Sequence, residues 1–242
     1  MKIYIIGLGP GDTCQMTLRA LDALKSCDAV VGYSKYIDSI RNSIKGKRIF
    51  TSGMTHEADR CRKALDYALE GDTVALVSDG DAGVYGMAGI MLEICQPHPE
   101  IDIEIIPGVT AACSGAALLG APIAHDFAVI SLSDMLTPID KISKRLNAAA
   151  EADFAICLYN PGSKNRADYL KRACDIILKY RNPETPCGTV ENIGRQDEKY
   201  SVYTLKDLRD TKANMSTTVF IGNSQTKIIN GRIVTPRGYR YK

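Results

Sequence analysis

Four short segments of the chain combine glycine, proline and small polar residues in a way that suits the binding of a small molecule. They span residues 7–12, 78–88, 107–112 and 159–164. Glycines let the main chain approach a bulky ligand closely, and a carboxylate such as that of Asp81 attracts an onium centre. A helix that begins in the third segment would offer free N–H groups to a carboxylate. These residue types predict a site for a ligand with cationic or hydroxyl-bearing groups.

The segments also have purely structural interpretations. The first fails as a dinucleotide fingerprint, because Asp12 stands where the third glycine of G-x-G-x-x-G belongs and Pro10 stiffens the turn. Asp12 and Gln15 have the spacing of a helix N-cap and its reciprocal partner. The second segment is compatible with a capped turn, and Asn160-Pro161 forms turns by itself. The sequence leaves both interpretations open.

No nucleophile with an adjacent base is apparent. Of the three histidines, His125 is the candidate for a functional role, because it lies at the junction of the two halves of the chain. The eight cysteines include no CxxC pair, which argues against zinc or iron–sulfur ligation. We expect no protein-bound metal, and reduced, mostly buried thiols in a cytoplasmic protein.

The four segments follow predicted strands, at the edge of an open sheet where α/β proteins bind ligands. In the first half of the chain, short β-branched runs alternate with amphipathic helical stretches, which predicts a mostly parallel, doubly wound sheet. The predicted strands are 3–6, 29–31, 73–77 and 101–106, and the predicted helices are 13–26, 35–43 and 57–70.

A Gly-Ala-Pro turn predicts a boundary near residue 120, with domains at 1–120 and 121–242. Asn230-Gly231 favours a type I′ hairpin near the end of the second domain. The predicted fold is therefore α/β with two domains, the second built on a mixed sheet. Its predicted helices are 139–150 and 166–180, and its predicted strands are 127–132, 154–158, 187–191, 200–205, 218–221, 227–229 and 232–234.

The charge balance favours neither nucleic acid nor a membrane as a partner. The 30 basic and 28 acidic residues give a net charge of +2 over 242 residues, too small for a strong field. Residues 105–124 carry no charge, but prolines and glycines interrupt them, so they predict a buried helix rather than a membrane span. The apolar run at residues 3–6 stops at glycines and predicts a first strand rather than a signal peptide.

Four motifs in a fixed order resemble the tetrapyrrole methylases. They are G-x-G-P-G-D from residue 7, S-x-G-D-x-G-V-Y-G-M-A from residue 78, P-G-V-T-A from residue 107 and L-Y-N-P-x-S-K from residue 158. Each is ambiguous alone, but the four together span nearly the whole chain. Segments 32–36, 125–138 and 218–224 are similar to the branch that methylates C17 of precorrin-3B or of its cobalt-containing counterpart. Gly162 stands where a basic residue is common in that branch, and Ile139 stands where an aromatic residue is common. Both differences concern substrate binding.

The resemblance implies a homodimer of two-domain subunits, with S-adenosylmethionine in the cleft between the domains and a tetrapyrrole over the first domain. Any cobalt would belong to the substrate, and nucleic acids and membranes are not implied as partners. By motif position, the implied donor-binding residues are Pro10, Gly80, Asp81, Val84, Tyr85, Thr110, Ala111, Tyr159 and Thr218. The implied substrate-binding residues are Gly9, Asp12, Ser34, Lys35, Ser131 and Ser133, with Lys35 pairing with a carboxylate arm of the macrocycle.

Methyl transfer from a sulfonium to an electron-rich carbon is an in-line displacement, which needs alignment in a dry cleft rather than a protein nucleophile. In the resembling family, C17 methylation is coupled to ring contraction, and that step needs a proton acceptor or donor. Asp81, Asp134 and His125 are the candidates. We assign Asp81 to orientation of the donor and Asp134 to acid–base work.

Three alternative functions remain. A sibling tetrapyrrole methylase acting at another carbon would share the donor-binding loops and differ in its product. A non-catalytic nucleotide-binding module would explain the glycines, but the absent P-loop lysine and the failed dinucleotide motif disfavour it. A nucleic-acid methyltransferase should show a basic stripe, and a solvated C-terminal tail better explains the cluster Arg232, Arg237, Arg240 and Lys242.

Overall fold

The computed structural model describes residues 1–11, 13–163 and 167–240, and the chain forms two compact units, Met1–Ala111 and Ala112–Lys242. In unit 1 the strands are β1 (Lys2–Gly7), β2 (Ala29–Tyr33), β3 (Arg48–Ser52), β4 (Thr73–Ser78) and β5 (Asp102–Ile106). The helices that connect them are α1 (Leu18–Ser26), α2 (Ser34–Ser39), α3 (Glu57–Leu69) and α4 (Ala88–Cys95), with short 3-10 turns at Thr13–Gln15 and Arg41–Ile44.

The sheet of unit 1 is parallel throughout, in the order β3-β2-β4-β1-β5. Alternate residues of β4 enter different cores: Val74 and Leu76 pack with α3 and α4, and Ala75 and Val77 pack with α1 and α2. Helices therefore cover both faces, as the uninterrupted apolar run of β4 requires. The prediction of a doubly wound parallel sheet is confirmed.

The start of α1 differs from the sequence prediction. The expected helix over residues 13–26 is a 3-10 turn followed by α1, whose N-cap is Thr17. The Thr17 hydroxyl accepts a hydrogen bond from the main-chain nitrogen of Ala20 at 3.1 Å. Thr17 therefore supplies the side-chain cap of α1, and the predicted cap residue Asp12 lies outside the described residues.

Unit 2 contains a five-stranded mixed sheet in the order β10-β9-β11-β8-β7, and a small sheet in the order β12-β13-β6. Only the β7–β8 pair of the larger sheet is parallel among the described residues. Its strands are β7 (Phe127–Ser131), β8 (Ala155–Tyr159), β9 (Pro186–Glu191), β10 (Lys199–Thr204) and β11 (Thr217–Ile221). The small sheet is formed by β6 (Gly120–Ala121), β12 (Lys227–Ile229) and β13 (Arg232–Val234), and the helices are α5 (Ala111–Leu119), α6 (Ile139–Glu151), α7 (Tyr169–Ile177) and α8 (Leu205–Arg209).

The division into units falls after Ala111, ahead of the boundary expected near residue 120. The packing of α5 explains the difference, because a Cβ at Gly115 would lie 3.0 Å from both Ile193 and Phe220. Gly120, at the end of α5, pairs with Ile233 of β13. The small residues of α5 therefore allow close packing within unit 2.

Six of the eight cysteines are buried, and Cys14 and Cys113 are exposed. Burial raises the pKa of Cys61 and that of Cys174 to about 12. All eight are free thiols, in agreement with the absence of paired spacings. None of the helices in the described part of the chain has the length and apolarity needed to cross a bilayer.

Candidate functional site

The first three candidate segments follow strands that end at one edge of the sheet in unit 1. They follow β1, β4 and β5, which are neighbours in the sheet, and the carboxyl ends of parallel strands share an edge. The N–H of Gly9 donates to the carbonyl oxygen of Gly80 at 2.9 Å, and the N–H of Gly80 donates to that of Gly9 at 3.1 Å. The loops after β1 and β4 therefore form one continuous main-chain surface.

Glycine at positions 7 and 108 permits these loops to touch. A Cβ at Gly108 would lie 2.5 Å from the carbonyl oxygen of Gly7 and would overlap that of Gly80. A Cβ at Gly7 would lie 2.7 Å from the main-chain nitrogen of Gly108. Both separations are far below van der Waals contact, so a side chain at either position would force the loops apart.

The carboxylate of Asp81 accepts three main-chain hydrogen bonds. Its Oδ1 accepts from the N–H of Gly83 at 2.8 Å and that of Val84 at 3.1 Å, and its Oδ2 accepts from the N–H of Gly108 at 3.1 Å. A carboxylate offers about four lone-pair directions, so most of its capacity is used inside unit 1. This geometry favours a role in holding the loops after β4 and β5 together.

Two apolar side chains project from these loops. Tyr85 is 57% exposed and has a φ of 55°, a left-handed conformation that is costly for a bulky residue and is often found at functional sites. Val109 in the loop after β5 is 39% exposed. Thr110 follows it, and Ala111 begins α5. The loops thus place exposed apolar groups beside a glycine-rich main-chain surface, which suits a ligand with a flat apolar face.

Ser34 and Lys35 lie at the same edge of the sheet, after β2. The hydroxyl of Ser34 donates to the carbonyl oxygen of Ser52 at 3.2 Å, which joins the ends of β2 and β3. Lys35 is exposed. Gly9 is buried, and its N–H is already used in the pair with Gly80, so that N–H is not available to a substrate.

In unit 2 the expected substrate-facing residues lie at the carboxyl ends of the parallel strands β7 and β8. The Oγ of Ser131 accepts a hydrogen bond from Nδ2 of Asn160 at 2.9 Å and one from the main-chain nitrogen of Ser133 at 3.2 Å. The Tyr169 hydroxyl donates to Oδ2 of Asp134 at 2.6 Å. We call these five residues the β7–β8 cluster.

Two of the expected donor-binding residues lie beside this cluster: Tyr159 pairs with Ser131, and Thr218 precedes Val219, which pairs with Leu158. The hydroxyl of Tyr159, at the end of β8, accepts a hydrogen bond from the main-chain nitrogen of Ala112 at 2.7 Å, which satisfies one free N–H in the first turn of α5. Thr218 lies within β11 and is 5% exposed. In unit 1, Pro10 is buried in the loop after β1.

His125 does not join the β7–β8 cluster. It precedes β7, whereas Asp134 follows the other end of that strand. Five residues of extended strand span roughly 16 Å, so the two side chains cannot act on one reacting atom. His125 Nδ1 accepts a hydrogen bond from the main-chain nitrogen of Asp126 at 2.7 Å. The structure therefore separates His125 from Asp134, and its geometry favours Asp134 over His125 as the candidate acid–base residue.

Two predicted site positions, Asp12 and the end of the fourth segment at Lys164, lie outside the described residues. Among the residues that are described, no three His, Cys, Asp or Glu side chains lie close enough to share a metal ion.

Tyr169 was not predicted as a candidate site residue, and Ser78 was included in the second candidate segment without a role for its side chain. Tyr169 is distant from Asp134 along the chain, so no local motif links the two residues. The only signal in the sequence was that polar residues follow both β7 and β8, which are paired strands. Ser78 ends β4, and its buried hydroxyl has no hydrogen-bond partner among the described residues. A polar residue at the end of an otherwise apolar strand was the available signal for Ser78.

Comparison with known proteins agrees with this architecture. A family model described as Tetrapyrrole (Corrin/Porphyrin) Methylases matches residues 2–209. The chain is 43% identical, over 98% of its length and 99% of the relative's, to a probable cobalt-factor III C(17)-methyltransferase of Salmonella typhimurium. It is similar to the crystal structure of the methyltransferase CobJ, with a TM-score of 0.89 and 36% identity over 97% of this chain and 99% of that one.

A uroporphyrin-III C-methyltransferase from Thermus thermophilus, solved with S-adenosyl homocysteine, shares the fold at a TM-score of 0.74. Its identity is 21%, over 92% of this chain and 97% of that one. The chain belongs to the tetrapyrrole methylase family. It is a methyltransferase, and the resemblance inferred from the four motifs is confirmed.

Proposed function

We propose that this protein transfers the methyl group of S-adenosylmethionine to C17 of a cobalt-containing, trimethylated corrin precursor, in a reaction coupled to ring contraction in cobalamin biosynthesis. The observation that carries the proposal is the 43% identity, across nearly the full length of both chains, to a protein named as a probable cobalt-factor III C(17)-methyltransferase. The name of that relative includes cobalt, and we propose a cobalt-containing substrate for this chain by analogy with it.

The loops of unit 1 fit S-adenosylmethionine. The glycines at positions 7, 80 and 108 provide a main-chain surface without side chains, and Tyr85 and Val109 expose apolar groups beside it. The hydroxyl of Ser78, which has no hydrogen-bond partner in the described part of the chain, lies at the end of the central strand β4. When bound, the donor would supply an electrophilic methyl group on a sulfonium. We assign its binding to the nine positions expected from the motifs, with Asp81 acting through the loops that it connects.

The residues of the chain then have three tasks. The glycine loops bind and orient the donor, so that the acceptor carbon approaches the methyl group in line with the breaking C–S bond. Lys35, exposed at the end of β2, attracts a carboxylate arm of the macrocycle. Asp134, at the end of β7, accepts or returns a proton when the macrocycle contracts.

Ser131 and Ser133 support Asp134 in this assignment. Both lie in the β7–β8 cluster, and the hydrogen bonds that Ser131 accepts from Asn160 and Ser133 fix the main chain next to Asp134. A proton acceptor needs such a fixed position, because proton transfer requires hydrogen-bond distance to the reacting group. His125 is not part of this assignment, because it lies at the other end of β7.

The resemblance further supports a homodimer that acts in the cytoplasm. Light scattering on the purified protein would measure the mass in solution. A particle of twice the 26.4 kDa chain mass is expected, and a monomer at assay concentration would contradict this part of the proposal.

The experiment that tests the proposed substrate offers three tetrapyrroles under anaerobic conditions with methyl-labelled S-adenosylmethionine. They are the cobalt-containing trimethylated precursor, its metal-free counterpart and uroporphyrinogen. Label should enter the cobalt-containing precursor fastest. Faster labelling of the metal-free compound would contradict the cobalt assignment, and labelling of uroporphyrinogen alone would establish a sibling activity. Donor binding without transfer to any tetrapyrrole would overturn the proposed function.

A further inference from the structure

The hydrogen bond between Tyr169 and Asp134 is not accounted for by the proposed function. The two residues come from different elements, since Asp134 follows β7 and Tyr169 is the first residue of α7. Their oxygens are 2.6 Å apart, a short distance typical of a hydroxyl that donates to a carboxylate. A contact between two separate elements restrains the carboxylate more than a bond to a neighbouring residue would.

The body of Tyr169 is held in place by the core of unit 2. Its ring is partly buried against the core and lines a cavity of about 200 Å³ between α6 and α7, together with Leu132, Ile142 and Leu146. Apolar side chains therefore hold one side of the ring, and its hydroxyl reaches Asp134. Removal of the hydroxyl alone would leave the packing of the ring unchanged.

Charged groups around the phenol keep it in its donating form. The hydrogen bond to Asp134 is the main reason that the pKa of Tyr169 is raised, and partial burial and the charge of Asp168 act in the same direction. Arg172 opposes them, with its guanidinium carbon 5.4 Å from the ring centroid. The phenol is thus protonated, and a donor, at every pH at which the enzyme would work.

We propose that Tyr169 is a positioning residue for the methyl-transfer and ring-contraction reaction, which holds the Asp134 carboxylate in the orientation needed for proton transfer. This inference rests on the proposed function, because it requires that Asp134 handles a proton. Tyr169 acts through Asp134 and makes no contact with the reacting atoms. Asn160 has the corresponding effect on Ser131, so the two ends of the β7–β8 cluster are each held by a residue from another element.

The test is a double-substitution cycle with Tyr169→Phe, Asp134→Asn and the combined variant. Loss of a hydrogen bond to a charged group should lower kcat roughly tenfold in Tyr169→Phe, with an unchanged Kd for the donor. In the Asp134→Asn background, Tyr169→Phe should have no further effect on kcat. An unchanged kcat in Tyr169→Phe, or a second loss of the same size in the combined variant, would overturn the inference.

Tyr180→Phe is the matched control. The Tyr180 hydroxyl also donates across unit 2, to Oδ1 of Asn147 at 3.1 Å, but it lies away from Asp134. Its loss should change Tm by an amount similar to that of Tyr169→Phe and leave kcat unchanged. A fall in kcat in both variants would indicate a general structural effect and contradict a specific role for Tyr169.

A spectroscopic readout separates this inference from the proposed function. Ultraviolet titration of tyrosinate, with Tyr169→Phe as the reference, reports the ionisation of Tyr169 without any substrate. In Asp134→Asn the transition should move to lower pH, because the carboxylate no longer holds the phenolic proton. Coincident transitions in the wild-type protein and in Asp134→Asn would refute the contact itself. A shifted transition in a protein that methylates no tetrapyrrole would confirm the contact and refute the proposed function.

Discussion

The Oδ2 of Asp81 lies 3.1 Å from the main-chain nitrogen of Gly108, so one carboxylate joins the loop after β4 to the loop after β5. Its other oxygen accepts hydrogen bonds from Gly83 and Val84 in its own loop. We therefore expect Asp81 to shape the proposed donor site mainly by fixing the main chain, with the effect of its charge on a bound sulfonium secondary.

Asp81→Asn distinguishes these two effects. The amide nitrogen cannot accept from Gly108, so the loops should loosen and the Kd for S-adenosylmethionine should rise roughly tenfold. The Kd for S-adenosylhomocysteine, which lacks the sulfonium charge, should rise by the same factor. Isothermal titration of both ligands measures this, with Asp22→Asn, on the exposed face of α1, as the control. A larger rise in Kd for S-adenosylmethionine than for S-adenosylhomocysteine would show that the charge of Asp81 dominates donor binding.

Gly108→Ala tests whether the loops must touch. The added methyl would overlap the carbonyl oxygens of Gly7 and Gly80, and we expect a loss of about 3 kcal/mol of stability together with loss of donor binding. Gly89→Ala is the matched control, because nothing lies within 4 Å of a Cβ there and the residue is in helix α4. That variant should gain about 0.5–1 kcal/mol. Equal denaturant midpoints for the two variants would contradict the packing argument.

Lys35→Met tests the attraction of a substrate carboxylate. The KM for the tetrapyrrole should rise about fivefold at low salt, and less at high salt because ions screen an exposed charge. The KM for the donor should stay constant. Lys45→Met removes another exposed lysine, which precedes the amino end of β3 at the opposite edge of the sheet, and should leave both constants unchanged. An equal rise in the KM for the tetrapyrrole in both variants would mean that only the overall charge of the protein affects substrate binding.

Asp153→Asn tests a stabilising ion pair in unit 2. Asp153 pairs with Arg181, whose side chain is 4% exposed, and accepts hydrogen bonds from Ser224 at 2.6 Å and 3.0 Å. The substitution should cost about 2 kcal/mol, less than the 3–5 of a fully buried pair because the carboxylate is 40% exposed. Asp175→Asn, which breaks the exposed pair with Arg209, should cost less than about 1 kcal/mol.

The cost of Asp153→Asn should depend on pH. Burial opposes ionisation of Asp153, but the hydrogen bonds from Ser224 and the charge of Arg181 outweigh it and hold its pKa below the ordinary value. The pair therefore stabilises the fold fully above the unfolded pKa of about 3.9 and loses that effect as pH falls through the lower folded pKa. Urea midpoints of wild type and variant should converge in acid, and a constant gap down to pH 2 would contradict this account.

Much of the fold could be predicted from the sequence because local patterns and tertiary packing agree. The sequence of β4 is an uninterrupted apolar run because helices cover both of its faces. Asn230-Gly231 connects β12 to β13 with positive φ at both residues, as its residue types predict. The edge strand β3 was missed, since most of its residues are exposed and it lacks an apolar run. The helix expected from residue 13 begins at Leu18, because Thr17 supplies the cap.

The motifs predicted the loops of the candidate site but not the contacts inside them. The contact between Asp81 and Gly108 joins the ends of β4 and β5, which flank β1 in the sheet, and the contact between Tyr169 and Asp134 joins the start of α7 to the loop after β7. Both depend on tertiary arrangement, which the local motifs do not specify. His125 was a candidate because it is a histidine near a junction, and only the direction of β7 separates it from Asp134. The types of the residues indicated which chemistry they could perform. The direction of the strands determined which of them lie close enough to act together.

The position of the transferred methyl group tests the central claim most directly. The enzyme is incubated anaerobically with ¹³C-methyl S-adenosylmethionine and the cobalt-containing trimethylated precursor, and the product is analysed by mass spectrometry and carbon NMR. The account predicts one new labelled methyl group per macrocycle, attached to C17. A labelled methyl on any other carbon would contradict the assignment while leaving the family intact, and an unlabelled macrocycle beside intact donor would contradict the proposed reaction altogether.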